Sequence, residues 1–201
     1  MTTIESVNAH MTDARDLPGV VRKLWPPEAL LFRDHLLRLD ADSRHMRFGH
    51  GVSDHFIEVY AMRMSEPGSL AHAYVEDGVV RAAAELKPAG SVWSLEAEAA
   101  FSVESSHQNR GLGTELLGRV IRSARNRGIK HVTLNCIAEN ERMQAVAKKH
   151  DAGLRVVHGE VTGEIIPESP GYFSILEEAF EDRAALVYGF LDMQTRLARS
   201  M

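Results

Sequence analysis

The alternation of apolar and polar positions divides this chain into short strands and amphipathic helices. Residues 1–17 are polar and aperiodic and read as a loosely held tail. Gly19–Trp25 is a strand candidate stopped by Pro26-Pro27. Pro27 suits the first position of a helix, and Leu30, Leu31, Leu37 and Leu39 give that helix an apolar face to about Asp40. Ser43–Phe48 reads as a loop with three potential cations, anchored by Met46 and Phe48 while its arginines stay solvated. A second helix is capped by Ser53 and runs through Phe56, Ile57 and Tyr60 to Met64. Leu70–Val75 and Val79–Leu86 flank Glu76-Asp77-Gly78, the pattern of a hairpin with a tight primed turn. Lys87-Pro88-Ala89-Gly90 then turns the chain into a third antiparallel strand, Val92–Val103.

The glycine-bearing turn Gln108–Gly113 follows, and Leu116, Leu117, Val120 and Ile121 open a helix that runs to about Arg127, with Gly128 suited to a left-handed cap. His131–Cys136 reads as a buried strand and Asn140–His150 as a helix with Met143, Val146 and Ala147 apolar. Gly153–Val157 and Glu160–Ile166 form a last strand pair around His158-Gly159. Pro167-Glu168-Ser169-Pro170-Gly171 is a linker. Beyond it Leu176, Phe180, Val187, Phe190 and Leu191 form an apolar stripe on a helix from about Ser174 to Arg199. That stripe needs cover; packing on the chain's own domain is the first expectation and a homodimer the second. The order predicts an α/β (α+β) domain over residues 18–166, followed by linker and helix over 167–201.

Composition narrows the function classes. The 201 residues, 44% hydrophobic and 25% charged, are those of an ordinary globule with a sizeable core. No apolar run reaches the roughly 20 residues of a membrane span, and the first residues carry no secretory-signal pattern. A single cysteine, Cys136, cannot form an internal disulfide, so the cytoplasm is the expected location. Cys136 reads as a small core residue. His45, His50 and His55 match no metal-ligand spacing and are expected at the surface, with no metal bound. A net charge of -5 argues against a nucleic-acid partner. Arg119, Arg122, Arg125, Arg127 and Lys130 make a local basic run, readable as a solvated helix face or as attraction for an anionic nucleotide tail.

The strand, glycine turn and helix over residues 96–121 carry the candidate chemistry. Gly111 and Gly113 have no Cβ, so backbone amides can approach a ligand at a helix N-terminus, where free N–H groups and the dipole favour a phosphate. A nucleoside-triphosphate loop, G-x-x-x-x-G-K-[ST], is absent, and the dinucleotide fingerprint fails because its third glycine would be Leu116.

Gln108-Asn109-Arg110-Gly111-Leu112-Gly113 resembles the Q/R-x-x-G-x-G/A acyl-CoA-binding motif of the GNAT superfamily of N-acetyltransferases. Ala97–Val103 resembles that family's fourth strand and Asn140–Leu154 its "N-x-x-M … G-[FL]" segment; the likeness spans roughly residues 18–166. Ser43–Phe48 resembles the S-R-x-x-R-F segment of a branch related to bacterial protein-lysine acetyltransferases.

The resemblance implies a mixed, mostly antiparallel central sheet flanked by helices, with the C-terminal helix as an addition. It implies acetyl-CoA as co-substrate and an amine acceptor, small molecule or protein lysine. Cofactor contacts would fall on Phe101, Val103, Gln108, Asn109, Arg110, Gly111, Leu112, Gly113, Thr114 and Asn140.

Acetylation of an amine needs a base, because an ordinary lysine amine, pKa about 10.4, is protonated at neutral pH. Glu98, ten residues before Gln108, matches the family's fourth-strand glutamate, and Glu96 on the same strand face is its reserve. A backbone N–H near Phe101 would hold the oxyanion. Many members place a tyrosine acid where this chain has Ala147, leaving Tyr172, Tyr188 or water. Arg44–Arg47 hints at an acidic acceptor or a protein surface. A non-catalytic acyl-CoA sensor is the rival reading.

Overall fold

The computed structural model describes residues 17–199, so the expected tail lies outside the described residues but for Leu17. Seven strands form one sheet in the order β1-β2-β3-β4-β5-β7-β6: β1 (Val20–Leu24), β2 (Leu70–Glu76), β3 (Val79–Pro88), β4 (Glu96–Val103), β5 (His131–Ile137), β6 (Gly153–Val157) and β7 (Glu160–Ile165). Every neighbouring pair is antiparallel except β4 and β5, which are joined by a helical crossover. The helices are α1 (Ala29–Arg38), α2 (Ala41–Phe48), α3 (Asp54–Met62), α4 (Leu112–Asn126), α5 (Glu141–Lys148) and α6 (Tyr172–Arg199). Asp77 and Gly78, both with positive φ (52° and 76°), make the primed turn of the β2–β3 hairpin. β4 begins at Glu96 rather than Val92: the ladder from β3 ends at Pro88, which has no N–H to donate, and Trp93 stands 88% exposed beyond it.

Alternation places one apolar set on each face of the sheet. α4 packs Leu116, Leu117, Val120 and Ala124 onto Tyr74, Ala84, Leu86, Ala99 and Leu134 on one face. On the other, α1 and α3 bury Phe32, Leu36, Ile57 and Ala61 against Ala71, Ala73 and Ala83. The alanines of β2 and β3 let helices sit close on both sides. The buried face of α1 is Ala29, Phe32, His35 and Leu36, with Leu39 buried just beyond its end and the expected Leu31 and Leu37 partly buried beside it, while Leu30 is 51% exposed. His35 fixes that rotation, because Nε2 meets Ser102 Oγ at 2.9 Å and Nδ1 meets Glu104 at 3.3 Å. Burial alone would raise the Glu104 carboxyl, but hydrogen bonds from His35 and Arg81 and the charge of Arg38 bring it down to about 2. β5 is buried on one face only: Val132, Leu134 and Cys136 face the core, while Asn135 is exposed.

Residues 43–48 are helical rather than a loop. The Asp40 carboxylate caps α2 by accepting from the Ser43 N–H at 2.7 Å, and Gly49, φ 75°, closes it in the left-handed region. Nor are its arginines solvated. Arg44 bonds Asp54 and the Leu39 carbonyl, and Arg47 pairs with Glu85 and the Tyr60 hydroxyl. His45, His50 and His55 are exposed, as expected.

α6 packs against β1 and α4, but not through its apolar stripe. Its inner face is Ser174, Glu178 and Ala185, with Asp182 and Asp192 reaching Lys23 and Arg22 at 2.8 and 3.0 Å. The basic run of α4 meets this face: Arg122 pairs with Glu177 and Glu181, Arg119 with Glu181 and Arg127 with Glu178. That run therefore holds a helix, a role different from both sequence readings. Phe180, Val187, Phe190 and Leu191 point outward, each at least half exposed.

Beneath α6, His72 of β2 bonds Ser123 Oγ at 3.0 Å, and Ser123 donates to Glu178 at 2.9 Å. Burial, helped by the charge of Arg119, pushes the His72 imidazole from 6.5 down to about 3. The unfolded chain therefore binds a proton there that the folded protein refuses. Stability present above pH 6.5 is lost as pH falls toward 3. We expect the melting temperature to fall between pH 7.5 and pH 5, and His72→Gln to flatten that dependence; equal slopes would show that His72 does not control it.

Candidate active site

Gly111, φ 78°, sits at the N-cap of α4 in a conformation that side chains resist, and no side chain caps the helix. The first helical bond is Glu115 N–H to Gly111 O, at 3.0 Å. The amides of Leu112, Gly113 and Thr114 precede it and have no helical acceptor, so with the helix dipole they form a positive pole suited to an anion. Asn109, φ 61°, shapes the approach. A Cβ on Gly113 would lie 3.2 Å from the Phe101 ring and 3.5 Å from Val146, so this glycine permits β4, α4 and α5 to converge.

A cavity of about 670 Å³ opens at this pole, walled by β4, the 107–114 turn, α2 and α5. Phe101, Val103, Gln108, Asn109, Gly111, Leu112, Gly113, Thr114 and Asn140 all line it. Arg110 does not, and stands exposed outside it. Gln108 braces the turn: its amide donates to the Val103 carbonyl at 3.0 Å and its oxygen accepts from Arg142. The Asn140 side chain accepts from the Met143 N–H at 3.1 Å, capping α5, and donates to the Met46 carbonyl at 3.1 Å, so its polar atoms are used in holding α5 to α2. Sequence reasoning missed Arg142 and Lys149, two cations of the lining. Their seven-residue separation, which puts Arg142 and the C-cap Lys149 on one side of α5, was the available signal. A larger cleft of about 1170 Å³ runs along α4 to residues 165–168 and shares only Gly111, Thr114 and Lys149 with the cavity. Of its arginines, Arg119 and Arg122 hold α6 and Arg125 lies 3.8 Å from Glu168 of the linker.

β4 and β5 pair only at Glu96–His131, Ala97–Val132 and Glu98–Thr133, and then diverge. The Glu104 N–H donates to the Arg81 carbonyl of β3, so by alternation the peptide groups of Ala99, Phe101 and Val103 point away from β3 into the gap. Glu98 stands at the last paired position, exposed, with Asn135 Nδ2 donating to it at 3.4 Å. Glu96 lies two residues back on the same face, farther from the gap. Neither carboxylate lines the cavity; they belong to a sheet face beside it that also carries Glu160 and Glu164, all four exposed. Ala147 is buried, and Tyr172 and Tyr188 are on α6, outside the cavity lining. Among the described residues no group of three or more His, Cys, Asp or Glu side chains is arranged to hold a metal ion, and no helix is long and apolar enough to cross a membrane.

Residues 34–152 match the acetyltransferase (GNAT) family. No curated protein is similar enough to the chain to count as a match. Among solved structures, the GNAT domain of the S. lividans protein PAT superposes with a TM-score of 0.63 at 22% identity, over 74% of this chain and 90% of that one. YncA from Salmonella typhimurium, solved with its cofactor acetyl-CoA, gives 0.57 at 16% identity, over 77% and 97%. A phosphinothricin acetyltransferase from Sinorhizobium meliloti, in complex with acetyl-CoA, gives 0.57 at 12% identity, over 78% and 92%. These likenesses concern the fold. The family match covers more than half the chain, including β4, the glycine turn and α5, and the chain belongs to the GNAT family of acetyltransferases.

Proposed function

We propose that the protein moves the acetyl group of acetyl-CoA to a primary amine by direct attack. The observation that carries this reading is the uncapped α4 N-terminus opening into the same cavity as the parted β4 edge. The free amides of residues 112–114 would hold the diphosphate, with Lys149 and Arg142 adding positive charge. The pantetheine amides would pair with the exposed peptide groups of β4, which carry the thioester toward Glu98.

There the Glu98 carboxylate takes a proton from the incoming ammonium, directly or through a water. The freed nitrogen attacks the thioester carbon. The Phe101 N–H, which faces the gap, stabilises the oxyanion. Collapse breaks the C–S bond, and the departing thiolate, with a thiol pKa of about 8.5, takes a proton from the new ammonium or from water. The tyrosines considered as a general acid, Tyr172 and Tyr188, lie elsewhere. Cys136 is an unsuitable acyl carrier, since burial pushes its thiol up and keeps it protonated. Binding of CoA by calorimetry, with release of free thiol across an amine panel, tests the reading; absence of CoA binding would end it.

The acceptor approaches over the sheet face that carries Glu96, Glu98 and Glu160, with Glu164 there held by His131 at 2.7 Å. The arginines that suggested an acidic acceptor are tied inside the fold, as is Lys87, whose Nζ lies 3.0 Å from Glu85. Positively charged amines should therefore be preferred. A diaminoalkane is expected to exceed the amino acid of equal length by about tenfold in kcat/KM, roughly 1.4 kcal/mol, with the gap closing as salt rises. Equal rates for the two would remove the carboxylate face from acceptor selection.

A further inference from the structure

α6 is mounted with its polar side inward. Its contacts with the domain run through Ser174, Glu178, Asp182 and Asp192, while Phe173, Leu176, Phe180, Val187, Phe190 and Leu191 face away from it, between 37% and 84% exposed. A single helix docked on its own domain ordinarily turns its apolar stripe to the core. Here the arginines of α4 and the Arg22–Lys23 pair of β1 select the opposite rotation.

The outward positions follow a three-and-four spacing: 173, 176, 180, 187 and 190 or 191, with Arg183 and Ala184 completing the seam. Twenty-eight residues make a helix of roughly 42 Å. The seam's six side chains expose roughly 600 Å², near the ~800 Å² per partner of a standard interface. The four central apolar positions of the seam are also self-complementary. If two copies cross antiparallel about the point between Arg183 and Ala184, Leu176 meets Leu191 and Phe180 meets Val187, each pair twice under the two-fold axis. Phe173 and Phe190 then fall opposite Gln194 and Glu177.

Charge argues against the main alternative, an anionic lipid surface. The outward seam offers only Arg183 to an anionic surface, the acids of α6 being turned inward in ion pairs, and the chain as a whole is net -5. We infer that the outer face of α6 is the interface through which two copies of this chain form a symmetric homodimer.

Sedimentation equilibrium on the full chain tests this, with the expected mass twice 22.3 kDa. The double substitution Phe180→Glu with Val187→Glu should weaken self-association by at least about 100-fold, the effect of burying like charges at the seam centre. Its circular dichroism spectrum should be unchanged, because neither residue touches the domain core. Val156→Glu, an exposed apolar position on β6, is the control and should remain dimeric. Ala184→Cys should form a disulfide-linked dimer under mild oxidation. A monomeric wild type at 100 µM, about the limit for weak association, would overturn the inference. So would a dimer that survives the double substitution, or sedimentation of a monomeric chain with phosphatidylglycerol vesicles.

Discussion

Glu98→Gln is expected to lower kcat for amine acetylation by about 10²–10⁴-fold, the range that a positioned general base contributes. The affinity for acetyl-CoA should stay within about twofold of wild type, because Glu98 lies outside the cavity lining and glutamine keeps its size. The deficit should shrink as pH rises, since a free amine at about pH 10 no longer needs a base. Stopped thiol-release assays against pH, beside calorimetric titration with CoA, check both halves. If Glu98→Gln keeps full activity while Glu96→Gln loses it, the base has been misassigned by one strand repeat, ~6.7 Å. If the wild type acetylates no amine yet binds acetyl-CoA, the protein is a sensor.

The second large effect concerns Gly113. Gly113→Val is expected to raise the KM for acetyl-CoA by about 10–100-fold, equivalent to ~1.4–2.7 kcal/mol of lost binding. The added atoms must displace the Phe101 ring, 3.2 Å from where Cβ would lie, and push β4 away from the amides of α4. Folding is loaded as well, by about 1–3 kcal/mol, because the added side chain overpacks against Phe101 and Val146, though without positive-φ strain. The contrast is Gly111→Ala, which forces a side chain to φ 78° and should cost stability by about 1–2 kcal/mol. Separate measurements of KM, CoA affinity and melting temperature on the two variants distinguish a damaged cradle from a damaged fold. Unchanged kinetics in Gly113→Val would remove the cradle from the mechanism.

Much of this was legible in the order of residues, where local rules and tertiary needs agree. Asp77-Gly78 could only be a tight primed turn, and Ser53 could cap only the helix that follows it. The glycines at 111 and 113 and the alternation in β4 announced the anion pole and the strand beside it. What could not be read depends on partners distant in the chain. α2 has only Met46 and Phe48 as large apolar residues, so periodicity hides it. Its fold comes from the Asp40 cap, Gly49, and an Arg47–Glu85 pair that spans 38 residues. The stripe of α6 has a helical period whichever way it faces. Which side meets the domain was decided by arginines on α4 and β1, and no pattern within residues 172–199 encodes them. The same arginines looked like a nucleotide-binding patch because their acidic partners lie some 50 or more residues later.

The short helix α2 touches both substrate sites. On one side its Met46 carbonyl is held by Asn140, at the wall beside the proposed thioester channel; on the other, Arg47 is clamped to Glu85 next to the carboxylate face. If either substrate displaces this helix, the contacts of Met46 and Arg47 pass the movement to the other site. Thermodynamic reciprocity then requires that acetyl-CoA alter the amine's affinity by the same factor with which the amine alters that of acetyl-CoA, whichever arrives first.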